Sequence, residues 1–326
     1  MKFKERKPRI VAIGGGTGLS TFLQGLKFFP VEITAIVTVA DNGGSSGVLR
    51  DDLKIPPPGD IRNVLVALSN SPEQLQKLLQ FRFEQTDEKG MSHYLNGHPV
   101  GNLILAAMTQ IYQGDFNLAV SKTAEMLNVN GTVYPVSHSA VELCGECVDG
   151  TIVRGEANFC GLTTALNYVY YENEMKTSPG VLEAILAADV IVLGPGSLYT
   201  SVLPNLIVPQ VSEAIAKNKK ADVVYISNIM TEAGETDNYD VEQHVEALFR
   251  HGIKKITKVI VNDQKISKNV LKAYEEEAAV EVKLRNDDGH DYELIFSRVA
   301  KVKKGIVRHD PIKISAAIYS IAVEHI

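Results

Sequence analysis

Five short runs of aliphatic, largely β-branched residues recur along the chain, at 9–13 (RIVAI), 33–40 (ITAIVTVA), 190–193 (VIVL), 223–226 (VVYI) and 258–261 (KVIV). They are continuous rather than alternating, the pattern of strands covered by helices on both faces. Helical periodicity separates them, at 17–27, 60–69, 73–83, 101–112, 182–188, 211–218 and 241–251. Strand–helix alternation of this kind predicts a three-layer, Rossmann-like α/β fold with a doubly wound, mostly parallel sheet. Residues 71–128 carry helical pattern without a convincing strand and read as a helical insertion. Residues 132–136 and 141–156 read as a β-excursion turning at Asp149-Gly150. With no linker or internal repeat, residues 1–326 are expected to form a single domain.

The composition suits such a core. Hydrophobic residues make up 45% of 326 and charged residues 22%, which excludes a disordered, collagen-like or disulfide-stapled chain. A net charge of -6 argues against nucleic acid or an anionic membrane as a partner held by bulk charge. Three cysteines, Cys144, Cys147 and Cys160, fit a reducing compartment, so a cytoplasmic location is expected. The basic start at 1–9 leads into a strand, not into the apolar segment of a signal peptide. The long uncharged stretch 190–212 is interrupted by Gly194, Pro195, Gly196, Pro204 and Pro209, so no membrane insertion is expected.

Chemistry concentrates where strands end. Gly14, Gly15, Gly16, Thr17 and Gly18 follow the first run and open a helix. Glycines there let the backbone approach a ligand, and the helix N-terminus favours an anion such as phosphate. The spacing matches neither the dinucleotide fingerprint nor the P-loop, because Leu19 stands at the third glycine and no G-K-[ST] follows. Four glycines in five residues exceed what a bare turn needs.

After the second run come Asp41, Asn42, Gly43, Gly44, Ser45 and Ser46; Asp41 lies 23 residues beyond Gly18, near a ribose-binding acid's usual place. The glycine–serine segment offers amides and hydroxyls for a second anionic group. In Pro58-Gly59-Asp60-Ile61-Arg62-Asn63, Asp60 suits the N-cap of the next helix, while Asp60, Arg62 and Asn63 are equally placed to face the same ligand. Gly194, Pro195, Gly196 and Ser197 follow the third run. A polar loop from Ser227-Asn228 through Thr231-Glu232 to Gly234-Glu235-Thr236, with Tyr239 beyond, follows the fourth. Loops after the first and fourth strands of a doubly wound sheet flank its ligand-binding switch point.

Other signals are weak. Cys144 and Cys147 have CxxC spacing without a second pair, His98 fits a structural loop, and the basic runs 217–220 and 301–304 read as solvated surface.

GGGTGLS at 14–20, VTVADNGGSSGVLR at 37–50, PPGDIRNVLVALS at 57–69 and GPGSLYTSVLPNL at 194–206 together resemble the YvcK-type gluconeogenesis factors, a branch of the CofD-like superfamily. The resemblance spans nearly the whole chain. It implies a cytoplasmic protein that binds UDP-sugars and serves cell shape and cell-wall growth on gluconeogenic carbon. The superfamily's CofD is a 2-phospho-L-lactate transferase using a guanosine-linked donor and magnesium. Those transferases carry two acids after the second strand, where this chain has Asp41-Asn42. Asn42 lacks the second anionic oxygen that a hard cation prefers, which leaves Asp41 as the candidate magnesium ligand.

The expected function is therefore nucleotide-sugar binding coupled to control of cell-wall synthesis, with transfer of a phosphate-linked group from a nucleotide donor as the alternative. NAD and GDP make the same demands on phosphate loops as a UDP-sugar. A homo-oligomer and cell-wall-synthesis proteins stand as the macromolecular partner expectations.

Overall fold

The computed structural model describes residues 6–84, 94–139, 141–159, 161–286 and 288–326. Strands β1 (Arg9–Gly14), β2 (Glu32–Val37) and β3 (Thr132–Pro135) form one half of the main sheet. The other half holds β7 (Val190–Leu193), β8 (Asp222–Ile226), β9 (Lys258–Asn262) and β10 (Glu293–Ser297). The order is β10-β9-β8-β7-β1-β2-β3, with every pair parallel. The strand order reverses between β1 and β7, so the loops after these two strands open onto one crevice.

Alternate residues of each strand enter different cores. Val11, Ile13, Ile191 and Leu193 pack on one face with α7 (Val181–Ala187), α9 (Pro209–Lys217) and α10 (Val241–Arg250). Ile10, Ala12, Val190 and Val192 pack on the other with α1 (Gly16–Leu26), α3 (Gly59–Leu68) and α12 (Pro311–Val323). Burial on both faces is the physical reason these runs carry no polar alternation. The fold is the three-layer α/β architecture expected.

Helices α4 (Glu73–Gln80), α5 (Val100–Ile111) and α6 (Phe116–Met126) fill the region between α3 and β3, as the expected helical insertion. A hairpin of β4 (Leu143–Cys147) and β5 (Ile152–Arg154), joined by β6 (Leu166–Tyr171), forms a separate antiparallel sheet. Two expectations change. Residues 132–136 do not belong to that excursion: β3 pairs in parallel with β2 as an edge of the main sheet. The segment read as a glycine–serine loop is helix α2 (Gly44–Leu53), capped by extended Gly43. Near the C-terminus lie α11 (Lys268–Glu276) and the hairpin β11 (Ala300–Lys303) with β12 (Ile306–His309). The short helix α8 (Leu203–Leu206) follows a single π-helical turn, Leu198–Val202. Among the described residues no helix is long and apolar enough to cross a membrane.

Candidate functional site

A cleft of about 550 Å3 opens at the C-terminal ends of β1, β7 and β8. Gly16, Thr17 and Gly18 line it from the start of α1, and Pro195, Gly196 and Ser197 line it from the loop after β7. The two loops are in contact. A Cβ on Gly18 would sit 2.5 Å from the Pro195 carbonyl oxygen, so nothing larger than glycine passes there. Gly16 takes φ +63, a conformation open mainly to glycine. The N-cap of α1 is Gly15, which brings no capping side chain.

The loop after β7 continues into the π-helical turn, whose Thr200 and Ser201 also line the cleft. Asn205 fixes this turn to β1: its Nδ2 donates to the Gly14 carbonyl at 3.1 Å and to the Ser201 carbonyl at 2.8 Å. Asn228, Thr231 and Glu232 approach from the loop after β8. The Thr231 hydroxyl accepts a bond from the Val280 amide at 2.9 Å, which holds that loop in place.

Four carboxyl groups face the cavity, from Asp41, Asp60, Glu156 and Glu232. Asp60 does not cap its own helix, as its position had suggested; the N-cap of α3 is Pro58. Its carboxylate instead accepts from the Gly16 amide, at the start of α1. Burial and the neighbouring charge of Asp41 push Asp60 up to about 6. Burial, then Asp41, Asp60 and Glu232, push Glu156 up to about 7. Burial raises Glu232, against the Ser197 hydroxyl and the Arg308 charge that favour its ionised form. Behind them, Glu235 is buried and raised by burial and by Glu232 and Glu156; its Oε1 accepts from Thr200 Oγ1 at 3.4 Å. Arg308, from β12, is the cation among the lining side chains. The adjacent His309 is pushed down to about 4 by burial, so it is neutral at physiological pH, with Nε2 3.2 Å from the Ser227 carbonyl oxygen.

Of the residues singled out from sequence, Gly16, Thr17, Gly18, Asp41, Asp60, Pro195, Gly196, Ser197, Asn228 and Thr231 line this one cavity. Gly14, Gly15 and Gly194 lie just behind it, shaping the contact between the two loops. The rest of the second motif turns elsewhere. The Gly43 amide donates to Asp41 Oδ1 at 2.9 Å, and Gly44 begins α2. Ser45 Oγ is bonded to His98 Nδ1 at 2.8 Å and to Asn102 Nδ2 at 3.0 Å, while Ser46 is buried beneath Gly59. Asn42 accepts from the Ala157 amide at 2.8 Å. Arg62 and Asn63 do not line the cleft: Arg62 donates to Asn102 Oδ1 of α5 and to Asn63 Oδ1, each at 2.8 Å, and Asn63 Oδ1 also accepts from Gln80 Nε2 of α4 at 3.4 Å.

Glu156, Tyr274, Arg308 and His309 escaped the sequence reading because no local motif marks them. Thr200, Ser201 and Glu232 stood inside loops already recognised.

The chain from residue 10 to 299 matches the family model for 2-phospho-L-lactate transferase CofD. The chain belongs to the CofD family. Within it, the chain is similar to the gluconeogenesis factor of Bacillus subtilis, at 44% identity over 98% of this chain and 99% of that one. The gluconeogenesis factor of Halalkalibacterium halodurans is 46% identical, over 96% of each chain. A crystal structure of a Bacillus halodurans protein superposes with a TM-score of 0.89 at 46% identity, covering 96% of this chain and 99% of that one. That protein is also described as a member of the UPF0052 family. The similarity therefore reaches the gluconeogenesis factors within the CofD family, as the four motifs had implied.

The family's transferase is associated with magnesium, so the donor set matters. Among the described residues no three His, Cys, Asp or Glu side chains are placed to hold one metal ion. Asp41 and Asp60 do offer carboxylate oxygens to the same cavity, which fits a hard cation completed by water and a ligand phosphate. The CxxC thiols of Cys144 and Cys147 are buried away from this cleft, and burial raises both. Cys160 lies outside the described residues.

Proposed function

We propose that this protein binds a nucleotide sugar, a UDP-sugar foremost, and acts as a cytoplasmic regulatory factor for cell-wall growth and cell shape under gluconeogenic conditions. The observation that carries the binding reading is that one cleft brings two chemistries together. Its lining includes Gly16, Thr17 and Gly18 at the start of α1, Ser197, Thr200 and Ser201, and Arg308. Amides at a helix start and a guanidinium hold the oxygens of a pyrophosphate. The same lining includes Asp41, Asp60, Glu156 and Glu232. Carboxylates accept hydrogen bonds from hydroxyl groups and repel phosphate, so these four suit a ribose or a hexose. The regulatory role rests on similarity to proteins named gluconeogenesis factors.

A second reading, transfer of a phosphate-linked group from a nucleotide donor, is favoured by the match to the transferase family model. Asp41 and Asp60 would then hold magnesium, which would neutralise charge developing on the donor's bridging oxygen. Titration calorimetry with UDP-glucose, with and without magnesium, followed by chromatography of the recovered nucleotide, separates the two. Binding that changes little with magnesium and returns the ligand intact supports the regulatory reading. Steady release of UDP or UMP overturns it in favour of transfer.

A further inference from the structure

Beyond β5 the chain crosses beside the cleft as a short segment, residues 155–159, held at both ends. At one end Asn42 Oδ1 accepts from the Ala157 amide at 2.8 Å. The Asn42 amide group also lies against Gly155, whose φ is +83 and where a Cβ would come within 2.3 Å of Nδ2. At the other end, a Cβ on Gly234, in the loop after β8, would meet the Phe159 carbonyl oxygen at 3.3 Å and the Leu162 nitrogen at 2.9 Å. The Phe159 ring is fully buried. The segment is thus pinned to two of the loops that build the cleft.

Between these anchors Glu156 faces the cavity. Among the described residues it is the one carboxyl lining the cleft that comes from outside the ends of the main sheet and the helices that follow them. Its carboxyl group makes no hydrogen bond or ion pair with any described residue, and the charges of Asp41, Asp60 and Glu232, all of like sign, act on it. A half-buried carboxyl group beside three like charges costs stability, so packing alone does not account for it.

We propose that Glu156 reads the group attached to the nucleotide's terminal phosphate, accepting a hydrogen bond from a hexose hydroxyl, and that Asn42 is the positioning residue that holds it there. This deepens the nucleotide-sugar reading and rests on it. It also gives the amide at position 42 a physical reason. An aspartate there would accept the same bond from Ala157 but would add a further negative charge beside Asp41.

The test compares UDP with UDP-glucose by calorimetry, on the parent protein and on Glu156→Ala, Asn42→Ala, the double variant and Glu156→Gln. Each alanine variant is expected to lose about tenfold in affinity for UDP-glucose, as for one hydrogen bond to a ligand, and much less for UDP. The double variant should lose no more than the worse single one, because Asn42 acts through Glu156. Glu156→Gln, which keeps an acceptor oxygen of the same reach, should recover most of the preference for UDP-glucose. Equal losses for both ligands, additive losses in the double variant, or no recovery with glutamine would overturn the assignment while leaving nucleotide binding intact. A parent protein that binds neither ligand would overturn the nucleotide-sugar reading itself, and this inference with it.

Discussion

Gly18 and Pro195 lie 177 positions apart in sequence yet leave no room for a methyl group between them, since a Cβ on Gly18 would lie 2.5 Å from the Pro195 carbonyl oxygen and 3.0 Å from the Gly196 Cα. Both loops line the same cleft, so their spacing sets its floor. Gly18→Ala must push them apart. It is expected to cost about 1–3 kcal/mol of stability, as overpacking does, and to weaken UDP-sugar binding by more than tenfold. Thermal unfolding and a ligand titration on the same variant check both.

Gly101 supplies the contrast. A Cβ there would lie 2.8 Å from Arg62 Cγ and Cδ and from the Leu79 carbonyl oxygen. Gly101→Ala should therefore destabilise by a similar amount, about 1–3 kcal/mol. Because α5 does not line the cleft, the folded fraction should bind UDP-sugar with the parent's affinity. A large loss of affinity would mean that the helical insertion shapes the site.

Asn205 is fully buried and donates to two carbonyl oxygens, on Gly14 and Ser201. Asn205→Asp replaces the donor with an acceptor facing two acceptors, and places a charge where no cation stands in bonding reach. The expected cost is about 3 kcal/mol or more, seen as a lower denaturant midpoint. Stability should partly return at pH values low enough to protonate the new carboxyl group.

The acid-lined cleft makes stability depend on pH. Asp60 is raised from 3.8 to about 6, and Glu156 from 4.5 to about 7. Between pH about 4 and about 7 the folded protein keeps protons that the unfolded chain has released, so these groups make stability fall as pH rises through that window. The loss is complete about one unit above the higher of these values and is on the order of 3 kcal/mol per group, from about 1.4 kcal/mol per unit. Asp60→Asn keeps an acceptor for the Gly16 amide and removes the charge. It should raise Tm more at pH 7.5 than at pH 5, and a Tm difference that does not vary with pH would exclude this account. Affinity for a nucleotide diphosphate should also rise from pH 7.5 to 6, as protonation relieves repulsion.

Much of the fold was legible in local sequence because its signals are local. The run at 190–193 coincides with β7, and the runs at 9–13 and 258–261 each extend by one residue into β1 and β9. Continuous apolar pattern, glycine after a strand and 3.6-residue periodicity all act over a few neighbours, and burial on both faces writes itself directly into composition. Where glycine and serine opened α2, the same local logic misled. Their reason for being helical lies in Ser45 meeting His98 and Asn102 from another part of the chain.

The sequence by itself determined the parallel sheet, the glycine-rich turn into α1 and the likeness to the gluconeogenesis factors. Only the tertiary structure decided which polar residues share one cavity. Glu156 reaches it from an antiparallel hairpin and Arg308 from a C-terminal one, each placed by pairings with no sequence periodicity of their own. Asp60 serves α1 rather than its own helix for the same reason, since the orphan amide it satisfies belongs to a segment more than forty residues away. A side chain's chemistry is written in its type, but its partner is chosen by the packing of distant elements, and that choice made these carboxyl groups into one site.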